Sequence, residues 1–277
     1  MENRLTFTKQ TLHKSQSEIT QDVTAIATYY PDMIKVYVPN VPIRRIPAGW
    51  EFDSGTNYIS DKHDEKVSNE TALERSIRRS QRRVRDYVLC NQFDIFFTLT
   101  IANDRMDIIR SIRKINTHFK NQRDRNGRFD YLLVPEYHKN GALHCHGVAR
   151  NYTGRMKLSR SSKTNRQIVS HGKPVYEFSE YKLGFTKVQY IGNTPEDQSR
   201  VGNYISKYIT KDMVSIFGKK RYWASQGLRK PLQEDNPAWF TELVADYVYE
   251  NDYGKIYTFT NLWAKALPDE LHDKTRF

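Results

Sequence analysis

From Phe93 to Asn103 the sequence "FDIFFTLTIAN" is aromatic and β-branched almost throughout. That composition predicts a buried strand. The period then changes. Asp107 to Lys120 spaces Ile108, Ile112, Ile115 and Phe119 about one turn apart, which predicts a helix with one apolar face. "RNGR" is a turn, "FDYLLVPEYH" a strand, "KNGA" a hairpin turn, and "LHCHGVAR" the returning strand. "VYEFSEY" and "GFTKVQYI" are two further strand-like runs, and a helix with an acidic first turn opens near Pro195 and Glu196. Upstream, Asp64 to Cys90 is helical, with Leu73, Ile77, Val84 and Val88 at turn spacing. Arg75, Arg78, Arg79, Arg82 and Arg83 occupy its other faces. This order predicts an α+β fold: an antiparallel β-sheet with flanking helices, compatible with a ferredoxin-like split βαβ core.

The flanks read differently. Residues 1–63 mix short β-like pieces with prolines and glycines and are expected to form an irregular N-terminal extension. Residues 232–277 are rich in aromatics and are expected to be a C-terminal extension packing on the core. Residues 64–231 form the expected central domain.

Charge narrows the partner. The 277 residues carry a net charge of +12, the footprint of a polyanion ligand. No run approaches the roughly 18 apolar residues of a membrane span, and the first residues do not resemble a secretion signal. Cys90 and Cys145 form no CxxC pair, which suits a reducing cytoplasm.

The candidate chemistry lies in the hairpin. Strand alternation puts His144 and His146 on one face and Leu143 and Cys145 on the other. Glu136, on the partner strand, reaches the same side. Two imidazoles and a carboxylate with open positions suit a catalytic divalent ion better than a closed structural zinc. His138 shares the parity of Glu136 and is the alternative third ligand. By parity Cys145 points into the core. Ordinary hydrogen-bonded strand histidines remain the plain alternative. Downstream, "VGNYISKYITKD" (Val201 to Asp212) is helical in pattern, with Tyr204, Lys207, Tyr208 and Lys211 in one sector. Val201, Ile205, Ile209 and Ile216 form the adjoining apolar stripe.

These motifs together resemble the HUH endonucleases, in particular the rolling-circle replication initiators of single-stranded DNA phages and plasmids. "FFTLT" (Phe96 to Thr100) resembles the first motif. Glu136 with "HCH" resembles the metal motif, and "YISKYITK" resembles the tyrosine motif in its two-tyrosine form. "KRYWASQGLRKP" (Lys220 to Pro231) resembles the segment that follows in phage-type members. The tyrosine motif follows the histidines, as in initiators and unlike conjugative relaxases. The resemblance implies an HUH catalytic domain over residues 64–231 that nicks single-stranded origin DNA. It implies a 5′-phosphotyrosine link, a free 3′-OH and later rejoining. Tyr204 and Tyr208 would be nucleophiles, Lys207 and Lys211 would supply positive charge, and Glu136, His144 and His146 would hold Mg²⁺ or Mn²⁺. The implied partners are a host helicase and DNA polymerase in a bacterial cytoplasm, since no GxxxxGK precedes Gly172, Gly218 or Gly254. DNA contacts are expected from Arg78 and Arg82 and from Arg155, Lys157, Arg160 and Lys163 in a serine-rich excursion. The alternatives are a non-catalytic single-stranded nucleic-acid-binding module, or a related HUH transposase or mobilisation relaxase.

Overall fold

The computed structural model describes residues 21–45, 72–103, 107–137, 143–210, 221–262, 271 and 274–275. The first elements are β1 (Gln21–Val23), β2 (Ile26–Tyr30), β3 (Met33–Pro39), β4 (Ile43–Arg45) and α1 (Ala72–Asn91). Then come β5 (Ile95–Thr100), α2 (Ile108–Asn126), β6 (Asp130–Tyr137), β7 (Leu143–Arg150) and β8 (Met156–Leu158). β9 (Val169–Ser170), β10 (Lys173–Pro174), β11 (Tyr176–Phe178), β12 (Thr186–Tyr190) and α3 (Pro195–Ser206) follow. The last strands are β13 (Trp223–Ala224), β14 (Leu232–Asp235), β15 (Tyr247–Asn251) and β16 (Gly254–Thr260).

The fold is α+β. Seven antiparallel strands run in the order β13-β6-β7-β5-β12-β11-β8. The β6–β7 hairpin inserts β7 between β5 and β6, so β5–α2–β6 is a split βαβ unit. On one face Ile112, Ile115 and Phe119 of α2 pack on Phe97, Leu99, Leu133 and Cys145. On the other, Ile77, Val84 and Val88 of α1, with Ile205 and Ile209, cover Leu132, Val134 and Val148. Each such fully buried aliphatic contributes about 1.5–3 kcal/mol. Leu73, expected on the same stripe, stays exposed near the start of α1. Gly147 is required where it stands, because a Cβ would fall 2.4 Å from Cζ of Phe97 and 2.7 Å from the Leu132 carbonyl. Helix α2 outruns its expected end at Lys120, because its last buried residue is the polar Gln122. The Gln122 side chain accepts from Asn126, and Gly127 ends the helix at φ 96°.

The expectation of an irregular N-terminal extension is corrected over residues 21–45. There β2 and β3 form a hairpin inside a five-stranded antiparallel sheet of order β14-β2-β3-β16-β15. Three of those strands come from the C-terminal segment, which therefore builds a sheet of its own rather than only packing on the core. One face of this sheet buries Ala27, Tyr29, Ile34 and Val36 against Trp239, Phe259, Leu262 and Leu271. The other face turns to the helices: Tyr30 and Met33 pack on Leu89 and Cys90 of α1, and the Tyr30 hydroxyl donates to Asp86 at 2.7 Å. Helix α1 thus lies between two sheets. Gly202 lets α3 approach it, since a Cβ there would lie 3.4 Å from Cβ of Val88. Among the described residues no helix is long and apolar enough to cross a membrane.

Candidate active site

The hairpin register sets the donor face. Glu136 pairs with His144 across β6 and β7, and His146 pairs with Thr98 of β5 on its other side. Paired residues of an antiparallel sheet share a face. Glu136, His144, His146, Thr98 and Phe96 therefore all point toward α1 and α3, away from Cys145, which is fully buried against α2. Nε2 of His146 meets Oε2 of Glu136 at 2.6 Å, and Nδ1 meets the Thr98 hydroxyl at 3.2 Å. Both ring nitrogens are thus engaged, which fixes the ring orientation. Burial holds His146 below the usual histidine pKa, and the opposing pull of Glu136 does not overcome it; His144 and Lys207 push the same way as burial. The imidazole is therefore neutral at pH 7, the form a metal requires.

Among the described residues, no three His, Cys, Asp or Glu side chains gather closely enough to hold a metal. Glu136 and His146 converge on one point, and His144 shares their face in register with Glu136. The donor chemistry, one carboxylate with neutral imidazole, fits a divalent ion, and the short Glu136–His146 contact occupies lone pairs that such an ion would take. His138 lies outside the described residues.

Helix α3 brings the phenols to this face. Its start follows the sequence signals: Thr194 caps it by accepting from the Asp197 N–H, Pro195 opens it, and Glu196 and Asp197 supply the acidic first turn. Its end does not. The expected helix through Asp212 stops at Ser206, with Lys207 as its cap. The backbone tightens into i→i−3 bonds, Tyr208 to Ile205 at 3.3 Å and Ile209 to Ser206 at 3.1 Å. Tyr208 thus leaves the helix, and its ring lies flat on His146, with centroids 3.9 Å apart and planes 4° apart. Tyr204, 41% exposed, stands edge-on to Phe96 at 5.4 Å. The Tyr208 hydroxyl donates to the Tyr204 hydroxyl oxygen at 2.7 Å. The Lys207 ammonium sits 4.1 Å from the Tyr204 ring centroid and 5.3 Å from that of Tyr208. Burial raises the Tyr208 phenol well above its ordinary pKa, and the bond to Tyr204 and the charge of Glu136 add to it. Lys211 and Ile216 lie outside the described residues.

Five expected residues are therefore gathered: Glu136, His146, Tyr204, Lys207 and Tyr208. The proposed DNA-contact cations are not. Arg78 and Arg82 are exposed on α1, where Arg82 lies 3.9 Å from Asp86. Arg155, Lys157, Arg160 and Lys163 sit at or beside β8, the far edge strand, with β11, β12 and β5 between it and β7. That segment is built rather than loose: Arg155 and Lys157 pair with Glu180 and Glu177, and Arg160 donates to the Asn165 carbonyl. Sequence reading missed Thr98 and Phe96, whose alternation along β5 carries the signal. It also missed Lys187, which pairs with Thr98 and so shares the donor face.

Residues 94–213, less than half of the chain, match the family described as Replication-associated protein ORF2. The match runs from β5 through both tyrosines and supports a rolling-circle replication protein. No curated protein and no solved structure matches the chain.

Proposed function

We propose that the protein initiates rolling-circle DNA replication by nicking single-stranded origin DNA with a tyrosine and later rejoining strands. The observation that carries this reading is the stack of Tyr208 on His146, with its hydroxyl bonded to Tyr204. Two nucleophile-bearing side chains meet the carboxylate–histidine pair, an arrangement that a packing role does not require.

The chemistry follows from the groups present. A tyrosine Oη forms a bond to the scissile phosphorus and the P–O3′ bond breaks. The electron pair leaves with O3′, which takes up a proton, while the phenol proton is released. The product is a 5′-phosphotyrosine and a free 3′-OH. Attack of a 3′-OH on that link reverses the step without ATP. Lys207 lies over both rings and favours the phenolate by charge. Phe96, Tyr204 and His146 make a ring-lined floor that excludes water from one side. Glu136 and His146, with His144 beside them, would hold Mg²⁺ or Mn²⁺, which when bound polarises the scissile phosphate. Lys211 is proposed to add a second cation, and a host helicase and polymerase to act on the nicked strand.

The test is incubation with pooled single-stranded oligonucleotides and Mn²⁺, followed by a denaturing gel. Wild-type protein is expected to carry covalently attached DNA, and Tyr204→Phe/Tyr208→Phe protein none. A wild-type protein that shifts DNA only under native conditions overturns the reading in favour of a non-catalytic binding module.

A further inference from the structure

The second sheet presents to the helices a face that is unsuited to being only core. Its middle strand β3 carries Lys35 there, flanked in register by Thr28 on β2 and Thr258 on β16. Tyr37 lies one pair further along, in line with Ile256, which in turn pairs with Tyr249 on the edge strand β15. Tyr247 extends the Lys35 row in the same way, through Thr258. Residues in register share a face, so Tyr37, Tyr247, Tyr249 and Lys35 all look toward α1 and α3. Between that face and the helices lies a cavity of about 380 Å³, to which α1 contributes Arg82, Arg85 and Asp86, and α3 contributes Ser199, Gly202 and Asn203.

The charges in this groove are unequal. Asp86 already accepts from Tyr30 at 2.7 Å and lies 3.9 Å from Arg82. Against it stand Lys35, Arg82 and Arg85. Among the described residues the Lys35 ammonium faces the Tyr30 ring at 5.8 Å and has no carboxylate at salt-bridge distance. Burial lowers its pKa, so an incoming anion would relieve a real cost. At its mouth Tyr247 and Tyr249 are 65% and 63% exposed, a waste of apolar area unless something flat covers them. Cations beside aromatic faces on a sheet are the combination that holds single strands: phosphates take the charges and bases stack on the rings. An acidic peptide would use the charges and leave the rings bare. On α3, moreover, Asn203 lines the groove while its neighbour Tyr204 stands at the histidine face. One helix borders both places.

We propose that the groove between the five-stranded sheet and helices α1 and α3 is a second single-stranded DNA site. Bases stack on Tyr37, Tyr247 and Tyr249, and phosphates meet Lys35, Arg82 and Arg85. This site is separate from the tyrosine–histidine cluster and does not depend on nicking. Its test therefore uses full-length protein in EDTA, where no covalent step intervenes.

Binding of a labelled mixed-sequence single strand is followed by fluorescence anisotropy across a salt series, with circular dichroism as the control for folding. Tyr247→Ala/Tyr249→Ala is expected to weaken binding at least tenfold, since each ring supports a stacked base. Lys35→Gln is expected to flatten the log affinity–log salt slope by about 0.7, one phosphate contact. Folded variants that bind the strand like wild type, or a wild type that binds none, overturn the proposal. Equal competition by poly-glutamate, lost in Lys35→Gln but kept in the tyrosine variant, overturns it in favour of an acidic protein partner. Failure of the nicking reading would appear instead as a missing covalent adduct with Mn²⁺, leaving this binding intact.

Discussion

The direction of the bond between the two phenols makes them unequal, and the inequality can be measured. Tyr208 donates to Tyr204, and burial, that bond and Glu136 all hold the Tyr208 proton in place. Tyr204 is the acceptor, the more exposed of the two, and has the Lys207 ammonium nearer its ring. A phenolate on Tyr204 would be stabilised by the donor it already has, so Tyr204 is expected to attack first. Tyr208→Phe keeps the ring on His146 and removes only that donor. A hydrogen bond to a charged oxygen contributes about 1.5–3 kcal/mol. At about 1.4 kcal/mol per decade, the loss slows the first covalent step on the order of 10- to 100-fold. The assay is single-turnover adduct formation on a short origin-like strand, with peptide mapping of the attached tyrosine. The expected result is a slow Tyr208→Phe enzyme with all adduct on Tyr204, and a Tyr204→Phe enzyme that loses the first-strand adduct. A Tyr208→Phe enzyme at wild-type rate, or wild-type adduct found on Tyr208 alone, refutes the assignment.

Parity makes a paired expectation for β7. His146→Ala should abolish adduct formation at saturating Mn²⁺ with little loss of fold, whereas Cys145→Ala should cost about 1–2 kcal/mol of stability and spare activity, as read by denaturant titration beside the gel assay. A pH effect belongs to His118 of α2, whose Nε2 is buried without a hydrogen-bond partner among the described residues and whose pKa burial lowers. Below the ordinary histidine pKa of about 6.5 the unfolded chain binds the extra proton first, so stability falls as pH drops through that value toward the lower folded one. Thermal melts between pH 7 and 5 should show this decline in wild type and a flatter profile in His118→Phe; identical profiles would remove His118 as its source.

What the sequence made legible is what is local. The β6–β7 hairpin needs only alternation and a turn, and alternation alone separates His144 and His146 from Cys145. The start of α3 is written in Thr194, Pro195, Glu196 and Asp197. Its end is not, because no glycine or proline marks Ser206 and the apolar spacing of Ile205 and Ile209 continues through the turn as if the helix did. Both isoleucines are fully buried, so the stripe was real while the helix beneath it had already stopped. The second sheet was illegible for a different reason. Its closing pairs join residues about 200 positions apart, such as Tyr29 with Leu232, and no local period reports a partner that distant. Short strands interrupted by Pro31, Pro39 and Pro42 read as irregular until the C-terminal strands are beside them.

That distant closure bears on how the site is held. Tyr204 and Tyr208 ride on α3 and the turn after it, α3 packs on α1 through Gly202, and α1 is held on its outer side by Tyr30 and Met33 of the second sheet. The long-range pairing of β2 with β14 and of β3 with β16 therefore backs the helix layer against the histidine face. The Glu136–His146 pair needs only the hairpin. The stack of Tyr208 on His146 needs the whole arrangement, because a shift of α3 by one or two ångström would undo a 3.9 Å ring contact while leaving every strand register intact. Damage to the second sheet should accordingly reach the tyrosines before it reaches the histidine pair.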